Sequence, residues 1–145
     1  MVLVAGVFDI IHAGHISLFF DIREDVCDEG EPLWVAINCD DRAIELKDNL
    51  CFSYWDRKLV LSYIELIDYV ESFDEDTPAE MIRRLKPRVY VKGGDYVADE
   101  LPEKEACDEV GAEIVIIPLM EIDGRKISSS VIKSGGSYVP GRNLR

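Results

Sequence analysis

Both histidines of this 145-residue chain lie in one short stretch, residues 6–15. The stretch follows an apolar run and leads into a segment with helical periodicity. Backbone N–H groups at a helix N-terminus attract phosphate, and Gly14 would let a ligand approach the backbone. Two imidazoles on one helical turn can donate hydrogen bonds to phosphate oxygens, most effectively where negative charge grows in a transition state. The spacing therefore predicts a phosphate-binding site at His12 and His15, with local packing or capping of the pair as the alternative.

Two later segments also carry polar residues that could contact a bound ligand. The string Lys92-Gly93-Gly94-Asp95 ends an apolar run, and Arg125-Lys126-Ile127-Ser128-Ser129-Ser130 precedes a short helical segment. Hydroxyls and free N–H groups at a helix start suit phosphate, and an adjacent basic residue adds charge. A helix cap needs only one hydroxyl, so three serines in a row favour phosphate binding. A plain Gly-Gly turn is the alternative for the first string, and a serine cap for the second.

The surrounding hydrophobic pattern predicts an α/β fold. Residues 2–7 form a continuous apolar run, which is typical of a strand buried on both faces, and short β-rich runs at residues 33–38, 69–73, 89–92 and 113–117 predict four further strands. Helical segments are predicted at residues 14–26, 40–46, 56–66, 78–85, 102–110 and 129–133. Strands that alternate with helices indicate a parallel sheet, which binds ligands at the carboxyl ends of its strands. The polar strings above lie at such ends.

Composition limits the classes of partner. The net charge of −13 disfavours nucleic acid and anionic membranes, because both are bound through Lys and Arg. Apolar runs are too short for a transmembrane helix, and the N-terminus lacks a basic signal-peptide region, so a cytoplasmic location is expected. The four cysteines form no Cys-x-x-Cys pair and are interpreted as reduced thiols, and with only two histidines a zinc site is hard to assemble.

The string Phe8-Asp9-x-x-His12-x-Gly14-His15 resembles the HxGH signature of cytidylyltransferase-like nucleotidyltransferases. Residues 72–78, 85–87 and 91–96 look like the adenylyltransferase domain of bacterial heptose 1-phosphate enzymes, and residues 53–59 are similar to glycerol-3-phosphate cytidylyltransferases. The resemblance covers residues 2–133. It implies that a substrate phosphate attacks the α-phosphorus of a nucleoside triphosphate in line and displaces pyrophosphate. Such a reaction needs positioning and charge neutralisation rather than a protein nucleophile.

The resemblance also implies a role for each site residue. Catalysis would fall to His12, His15, Lys47 and Arg57, with Lys47 brought over the triphosphate from the loop after the second strand. The segment 40–57 is shorter than in the heptose enzymes and holds one lysine in that loop, where glycerol-phosphate enzymes tend to carry several. Asp9 and Asp40 would face the acceptor, and Asp95 the ribose. The alternatives are a helix cap for Asp40 and a solvated charge for Arg57. The implied nucleotide-binding residues are Val7, Phe8, His15, Lys92, Gly93, Asp95, Arg125, Ile127, Ser128, Ser129 and Ser130.

We therefore expect a single Rossmann-like domain over residues 1–134, with strand order 3-2-1-4-5, helices on both faces and a tail at 135–145. It would transfer AMP or CMP from ATP or CTP to a sugar or polyol phosphate. The heptose-like strings favour ATP, and the short middle segment favours CTP. Mg²⁺ is expected with the triphosphate, with no protein ligand named, and a homodimer is expected. The alternatives are a non-catalytic nucleotide-binding module, a phosphopantetheine adenylyltransferase-like enzyme, and a metal-binding protein using His12, His15 and carboxylates.

Overall fold

A computed structural model describes residues 1–46 and 49–138 of the chain. Its central sheet has five parallel strands, which are β1 (Val2–Gly6), β2 (Leu33–Asn38), β3 (Tyr69–Phe73), β4 (Val89–Gly93) and β5 (Glu113–Ile117). Their order is β3-β2-β1-β4-β5, which confirms the predicted fold. In β1, Val4 lies opposite Val35 of β2 and Val91 of β4. The first strand is thus central, and its carboxyl end lies at the point where the strand order reverses.

Helices cover both faces of this sheet. They are α1 (Ala13–Asp21), α2 (Asp40–Leu46), α3 (Tyr54–Ser62), α4 (Ala79–Leu85), α5 (Lys104–Val110) and α6 (Ser129–Lys133). Successive side chains of a strand point to opposite faces. Val4 accordingly packs in one core with Phe19 of α1 and Leu61 of α3, whereas Leu3 packs in a second core with Ile82 of α4. Within the described residues, no helix combines the length and the apolar character needed to cross a bilayer.

Four predicted helices differ from the observed ones at their ends. Of these, α4 begins one residue and α5 two residues later than predicted, and the helix predicted at residues 56–66 ends at Ser62. The helix predicted at residues 14–26 is α-helical only to Asp21 and continues as a π-helical turn, Ile22–Val26. The helix predicted to begin at Asp56 begins at Tyr54, because the Ser53 hydroxyl accepts a hydrogen bond from the Asp56 N–H and the Asp56 carboxylate accepts one from the Ser53 N–H. This reciprocal capping starts the helix two residues earlier than predicted.

A short hairpin replaces part of the loop predicted before the last helix. Its strands are β6 (Glu121–Ile122) and β7 (Arg125–Lys126), which pair antiparallel. The two turn residues, Asp123 and Gly124, both have positive φ, at 51° and 72°. Asp-Gly is a sequence favoured in such two-residue turns, so the signal for this hairpin was present in the sequence. The hairpin leads the chain directly into the serine-rich start of α6.

Candidate active site

A cavity of about 510 Å³ lies at the carboxyl ends of β1 and β4, where the sheet order reverses. Most of the residues predicted for the site line it, namely Val7, Phe8, Asp9, His12, His15, Lys92, Gly93, Ile127, Ser128, Ser129 and Ser130. Asp40, Arg57, Asp95 and Arg125 are not part of the lining, and Lys47 lies outside the described residues. The fold therefore brings the histidine loop, the end of β4 and the serine turn around one space.

The two histidines form a reciprocal cap at the N-terminus of α1. The Nδ1 atom of His12 accepts a hydrogen bond from the Gly14 N–H at 3.1 Å, and the Nδ1 atom of His15 accepts one from the His12 N–H at 3.4 Å. The rings are stacked, with centroids 3.9 Å apart and an interplanar angle of 22°. A neutral imidazole whose Nδ1 accepts a hydrogen bond carries its proton on Nε2. Each ring is thus held as an Nε2–H donor.

Burial favours the neutral form of both imidazoles. Burial lowers the pKa of His12 below its ordinary 6.5. Burial, together with the neighbouring His12, lowers the pKa of His15 to about 3. Because a buried charge loses its hydration, the neutral form is favoured in both rings. The pair therefore presents hydrogen-bond donors to the cavity rather than positive charge.

Phe8 occupies a strained turn directly after β1. Its φ of 49° lies in a region that residues with side chains rarely adopt. The buried Phe8 ring meets the His15 ring at a steep angle, with centroids 5.3 Å apart. A Cβ at Gly6 would lie 2.9 Å from the Phe8 ring, so only glycine leaves room for it. The turn thereby packs an aromatic ring against His15 and restrains the orientation of that imidazole.

Glycine is needed at position 14 for a different reason from the predicted one. A Cβ at this position would lie 3.0 Å from the His12 ring and 3.4 Å from the Cβ of Ile127. The space beside Gly14 is therefore occupied by protein atoms, and the expectation that it admits a ligand to the backbone is wrong. Glycine here makes room for the capping imidazole.

Asp9 is a buried carboxylate with several protein partners. It accepts hydrogen bonds from the N–H groups of Cys51 and Phe52, each at 2.9 Å, and forms an ion pair with Lys133 of α6. Burial acts to raise the pKa of Asp9, but Lys133 and the two N–H groups together hold it below its ordinary 3.8. Asp9 thus anchors the segment before α3 to β1 and α6. The predicted contact of Asp9 with the acceptor stays a prediction.

Arg57 lies behind the cavity rather than in it. Its guanidinium is fully buried and donates hydrogen bonds to the carbonyls of Val7 at 2.8 Å, Asn38 at 2.7 Å and Phe52 at 3.2 Å. It also donates to the Asp40 carboxylate at 3.1 Å. Neither the predicted place beside the phosphates nor the alternative of a solvated charge describes this side chain. Arg57 ties together the ends of β1 and β2, and Asp40 lines a smaller neighbouring pocket.

Lys92 forms an ion pair with the buried Glu103, and both residues line the cavity. Its ammonium lies 3.0 Å from the Oε1 atom of Glu103 and 5.5 Å from the centroid of the Tyr96 ring. The next residue, Gly93, faces the opposite side of the sheet, where a Cβ would lie 3.0 Å from Leu18. Lys92 lines the cavity as predicted, although its ion-pair partner was not foreseen.

Asp95, Arg125 and Lys126 do not line the cavity, although each is within two residues of one that does. The exposed Asp95 carboxylate forms an ion pair with Lys126, and Arg125 lies 5.9 Å from the ring centroid of Tyr138. The Tyr138 hydroxyl accepts a hydrogen bond from the Ser128 N–H at 2.9 Å and donates one to the Lys126 carbonyl at 2.8 Å. Tyr138 therefore holds the start of the serine turn. Residues 139–145 of the predicted tail lie outside the described residues.

The serine turn contacts the histidine loop directly. The Ser128 hydroxyl caps α6 by accepting a hydrogen bond from the Val131 N–H at 3.3 Å. The Ser129 hydroxyl donates to the Ile10 carbonyl at 3.1 Å, which joins two segments that are 119 residues apart in the sequence. Ser130 also lines the cavity. The capping role of Ser128 coexists with the predicted place of the serines at the site.

The sequence interpretation missed several residues of the lining. Lys133 lies one turn after the serines on α6, and Asp76, Thr77 and Pro78 lie directly before α4. Glu103 is both buried and part of the lining. A signal existed for the Asp76-Thr77-Pro78 string, which was part of the resemblance. Across the described ranges 1–46 and 49–138, no group of three or more His, Cys, Asp or Glu side chains could hold a metal ion.

Comparison with known proteins gives related sequences over nearly the whole chain. Residues 3–135 match the protein family described as Cytidylyltransferase-like. The protein named "Bifunctional protein HldE" from Wolinella succinogenes is 41% identical over 94% of this chain and 27% of its own length. The "D-beta-D-heptose 1-phosphate adenylyltransferase" from Bordetella bronchiseptica is 38% identical over 81% of this chain and 72% of its own length. The chain spans about a quarter of the length of the bifunctional relatives.

Solved structures share the fold at lower sequence identity. A lipopolysaccharide core biosynthesis protein from Thermoplasma volcanium superposes with a TM-score of 0.63 and 22% identity, covering 84% of this chain and 97% of that one. A macrolide-efflux protein from Streptococcus pneumoniae superposes with a TM-score of 0.62 and 24% identity, covering 92% of this chain and 51% of that one. At these identities the likeness concerns the Rossmann-like fold alone.

Proposed function

This chain belongs to the cytidylyltransferase-like family of nucleotidyltransferases, and from that premise we propose that it transfers the adenylyl group of ATP to a sugar 1-phosphate of the heptose type. The predicted family and reaction class are confirmed by the family match and the relatives. The choice of ATP over CTP rests on the relative from Bordetella bronchiseptica, whose name specifies adenylyl transfer. Pyrophosphate is the second product.

The observation that carries this proposal is the stacked pair of neutral histidines at the cavity. Their Nδ1 atoms are occupied by backbone N–H groups, so their Nε2–H groups are the free donors. Donors held in place before the reaction need no reorganisation when charge develops on a ligand. Such an arrangement suits the oxygens of an α-phosphate under attack.

In the proposed reaction an oxygen of the sugar phosphate attacks the α-phosphorus. The new oxygen–phosphorus bond forms as the bond between the α-phosphorus and its bridging oxygen to the β-phosphate breaks, and pyrophosphate leaves with that electron pair. The attacking phosphate is already ionised, so no general base is required. His12 and His15 donate hydrogen bonds to the oxygens of the α-phosphate as their negative charge increases. The chain contributes positioning and electrostatic stabilisation.

Residues of the serine turn and α6 would hold the β- and γ-phosphates. Ser129 and Ser130 line the cavity, and Lys133 brings an ammonium into the lining of a strongly acidic protein. Arg125 would add charge from beside the cavity, and Asp95 is proposed to contact the ribose. Val7, Phe8, Gly93 and Ile127 supply the nearby wall. Arg57 acts in this scheme as a positioning residue, since its donors hold the carbonyls at the ends of two strands.

Mg²⁺ is proposed to arrive with the triphosphate. In the part of the chain that the structure describes, the side chains do not form a protein cage for it, and the carboxylates of Asp9 and Asp40 are paired with Lys133 and Arg57. Phosphate oxygens and water are the usual main ligands of Mg²⁺ in such complexes. No step of the proposed reaction is assigned to a metal held by the protein.

Pyrophosphate release from a matrix of substrates tests the proposal. The purified chain is supplied with ATP, CTP, GTP or UTP together with D-β-D-heptose 1-phosphate, glycerol 3-phosphate or 4′-phosphopantetheine. We expect release with ATP and the heptose phosphate, and little release from a matched variant in which both histidines are replaced by Asn. Preference for CTP and glycerol 3-phosphate would overturn the substrate assignment. Binding of ATP without release in any combination would instead identify a non-catalytic module.

A homodimer and a cytoplasmic location stay predictions. Light scattering of the purified chain would measure its mass in solution, for comparison with the 16.4 kDa of one copy. Absence of nucleic acid binding, expected from the charge of −13, can be checked by filter binding at low salt.

A further inference from the structure

Glu103 is a buried carboxylate with an oxygen that has no partner. Glu103 is only 1% exposed to solvent. The Oε1 atom accepts hydrogen bonds from the Tyr90 hydroxyl at 3.2 Å and from the Lys92 ammonium at 3.0 Å. The Oε2 atom is also buried, and among the described residues nothing donates to it. Buried polar atoms of native proteins are nearly always hydrogen-bonded, so an exception requires an explanation.

The position of Glu103 supplies one, because this residue lines the same cavity as the histidines. Tyr90 packs in the core formed with α4 and α5, and Lys92, two residues later in β4, points to the same face of the sheet. The intervening Val91 packs in the core that contains Phe19 of α1. Glu103 and Lys92 therefore lie on the face of the sheet opposite to α1 and its capping histidines.

The two halves of the cavity differ in chemistry. The half beside α1 presents imidazole N–H and hydroxyl groups, which suit phosphate oxygens. The other half contains a carboxylate, which repels a triphosphate but accepts hydrogen bonds from hydroxyl groups. The ammonium of Lys92 neutralises the charge of the Glu103 carboxylate, and it is also a cation that can contact a phosphate in this half of the cavity. A molecule with several hydroxyls and one phosphate suits this half.

From this geometry we infer that Glu103 and Lys92 form the acceptor subsite, in which the Oε2 atom of Glu103 accepts a hydrogen bond from a ring hydroxyl of the sugar phosphate. The inference rests on the proposed function and adds the residue that selects a hydroxylated acceptor. Thr77 and Pro78, which precede α4 on the same face of the sheet, also line the cavity. A site built to bind a hydroxyl discriminates strongly against analogues that lack it, because its own buried group is then left unpaired.

Steady-state kinetics of Glu103→Gln test the inference. The substitution keeps the size of the side chain and replaces one carboxylate oxygen by an N–H donor. With ATP and D-β-D-heptose 1-phosphate as substrates, we expect KM for the sugar phosphate to rise roughly 10- to 100-fold, and KM for ATP to change less than about twofold. Glu105→Gln is the matched control, since Glu105 is exposed in the first turn of α5, two residues after Glu103, and is not part of the lining. It should leave both constants unchanged.

Deoxy analogues of the acceptor provide a readout that a purely structural role would not move. The wild-type chain should discriminate against the sugar 1-phosphate that lacks the contacted hydroxyl, and Glu103→Gln should lose this discrimination. Glu103→Asp, which withdraws the carboxylate by one methylene, is the second variant if the Gln variant does not fold. An equal rise in KM for ATP would overturn the inference and indicate the adenine amino group as the donor. Unchanged KM for the sugar phosphate would also overturn it, whereas absence of pyrophosphate release by the wild type would instead refute the proposed function.

Discussion

Replacing His15 by Asn asks whether a neutral imidazole acts through its Nε2–H. An Asn amide oxygen can take the place of Nδ1 and keep accepting the His12 N–H, so the cap of α1 is retained. Nothing in Asn replaces the Nε2–H. Removal of one preorganised donor costs about 2.7–4 kcal/mol of transition-state stabilisation, which corresponds to roughly a 10²- to 10³-fold loss of turnover. We expect the same loss in His15→Ala, with a folded protein in both cases.

The assay is pyrophosphate release at saturating ATP and sugar phosphate, with His15→Gln as the matched control. A Gln amide can place an N–H near the position of Nε2, so this variant should recover part of the turnover lost in the Asn variant. Near-normal turnover of His15→Asn would remove the imidazole from the mechanism. Equal turnover of the Asn and Gln variants would show that the donor position does not matter.

The pH profile gives an independent check of the same reasoning. Because burial lowers the pKa of His15 to about 3, its ring has no proton to lose as the pH rises from about 6 to 8. Turnover should therefore show no descending limb near pH 6.5. A descending limb there that disappears in His15→Asn would mean that the pair acts as imidazolium, contrary to the burial seen in the structure.

Four further predictions concern stability and positioning. Arg57→Lys should lower the free energy of unfolding by about 3 kcal/mol, because a compact ammonium lacks the spread of the guanidinium, whose three nitrogens each reach a different carbonyl; an unchanged denaturation midpoint would contradict this. Lys133→Met should raise KM for ATP roughly tenfold if its ammonium holds the triphosphate, and an unchanged KM would exclude that role. Gly14→Ala should lower turnover about tenfold, since its Cβ would displace the His12 ring, whereas thermal unfolding shows little change; normal turnover would argue against the cap. The free energy of unfolding should fall by up to about 1.4 kcal/mol per pH unit as the pH drops from 6.5 towards 3, because His15 gains its proton far more readily in the unfolded chain. The same pH dependence in His15→Asn as in the wild type would contradict this.

Local sequence determined the elements of the sheet. The first five residues of β2 are all apolar, because a strand covered on both faces needs apolar side chains in both directions. The ends of helices were harder to predict. Ser53 begins α3 earlier than the periodicity indicates, because capping by a polar side chain is independent of the hydrophobic pattern. The hairpin at Asp123-Gly124 was missed for a similar reason, since its strands are too short to show a period.

The sequence by itself also determined most of the residues that line the cavity. Both histidines, the glycines after Lys92 and the serines lie at or next to the ends of regular elements, and in a parallel fold such positions converge at one edge of the sheet. Their residue types and spacing indicate phosphate binding, which stays a prediction.

Only the tertiary structure decided what the long charged side chains do. Arg57 turns inward to three carbonyls, Lys133 pairs with Asp9, and Lys92 pairs with Glu103. Each of these side chains has several rotatable bonds, and its direction depends on groups that lie 5 to 124 residues away in the sequence. A pattern of neighbouring residues cannot contain that information, because the partners come together only when the sheet and both helical layers have packed.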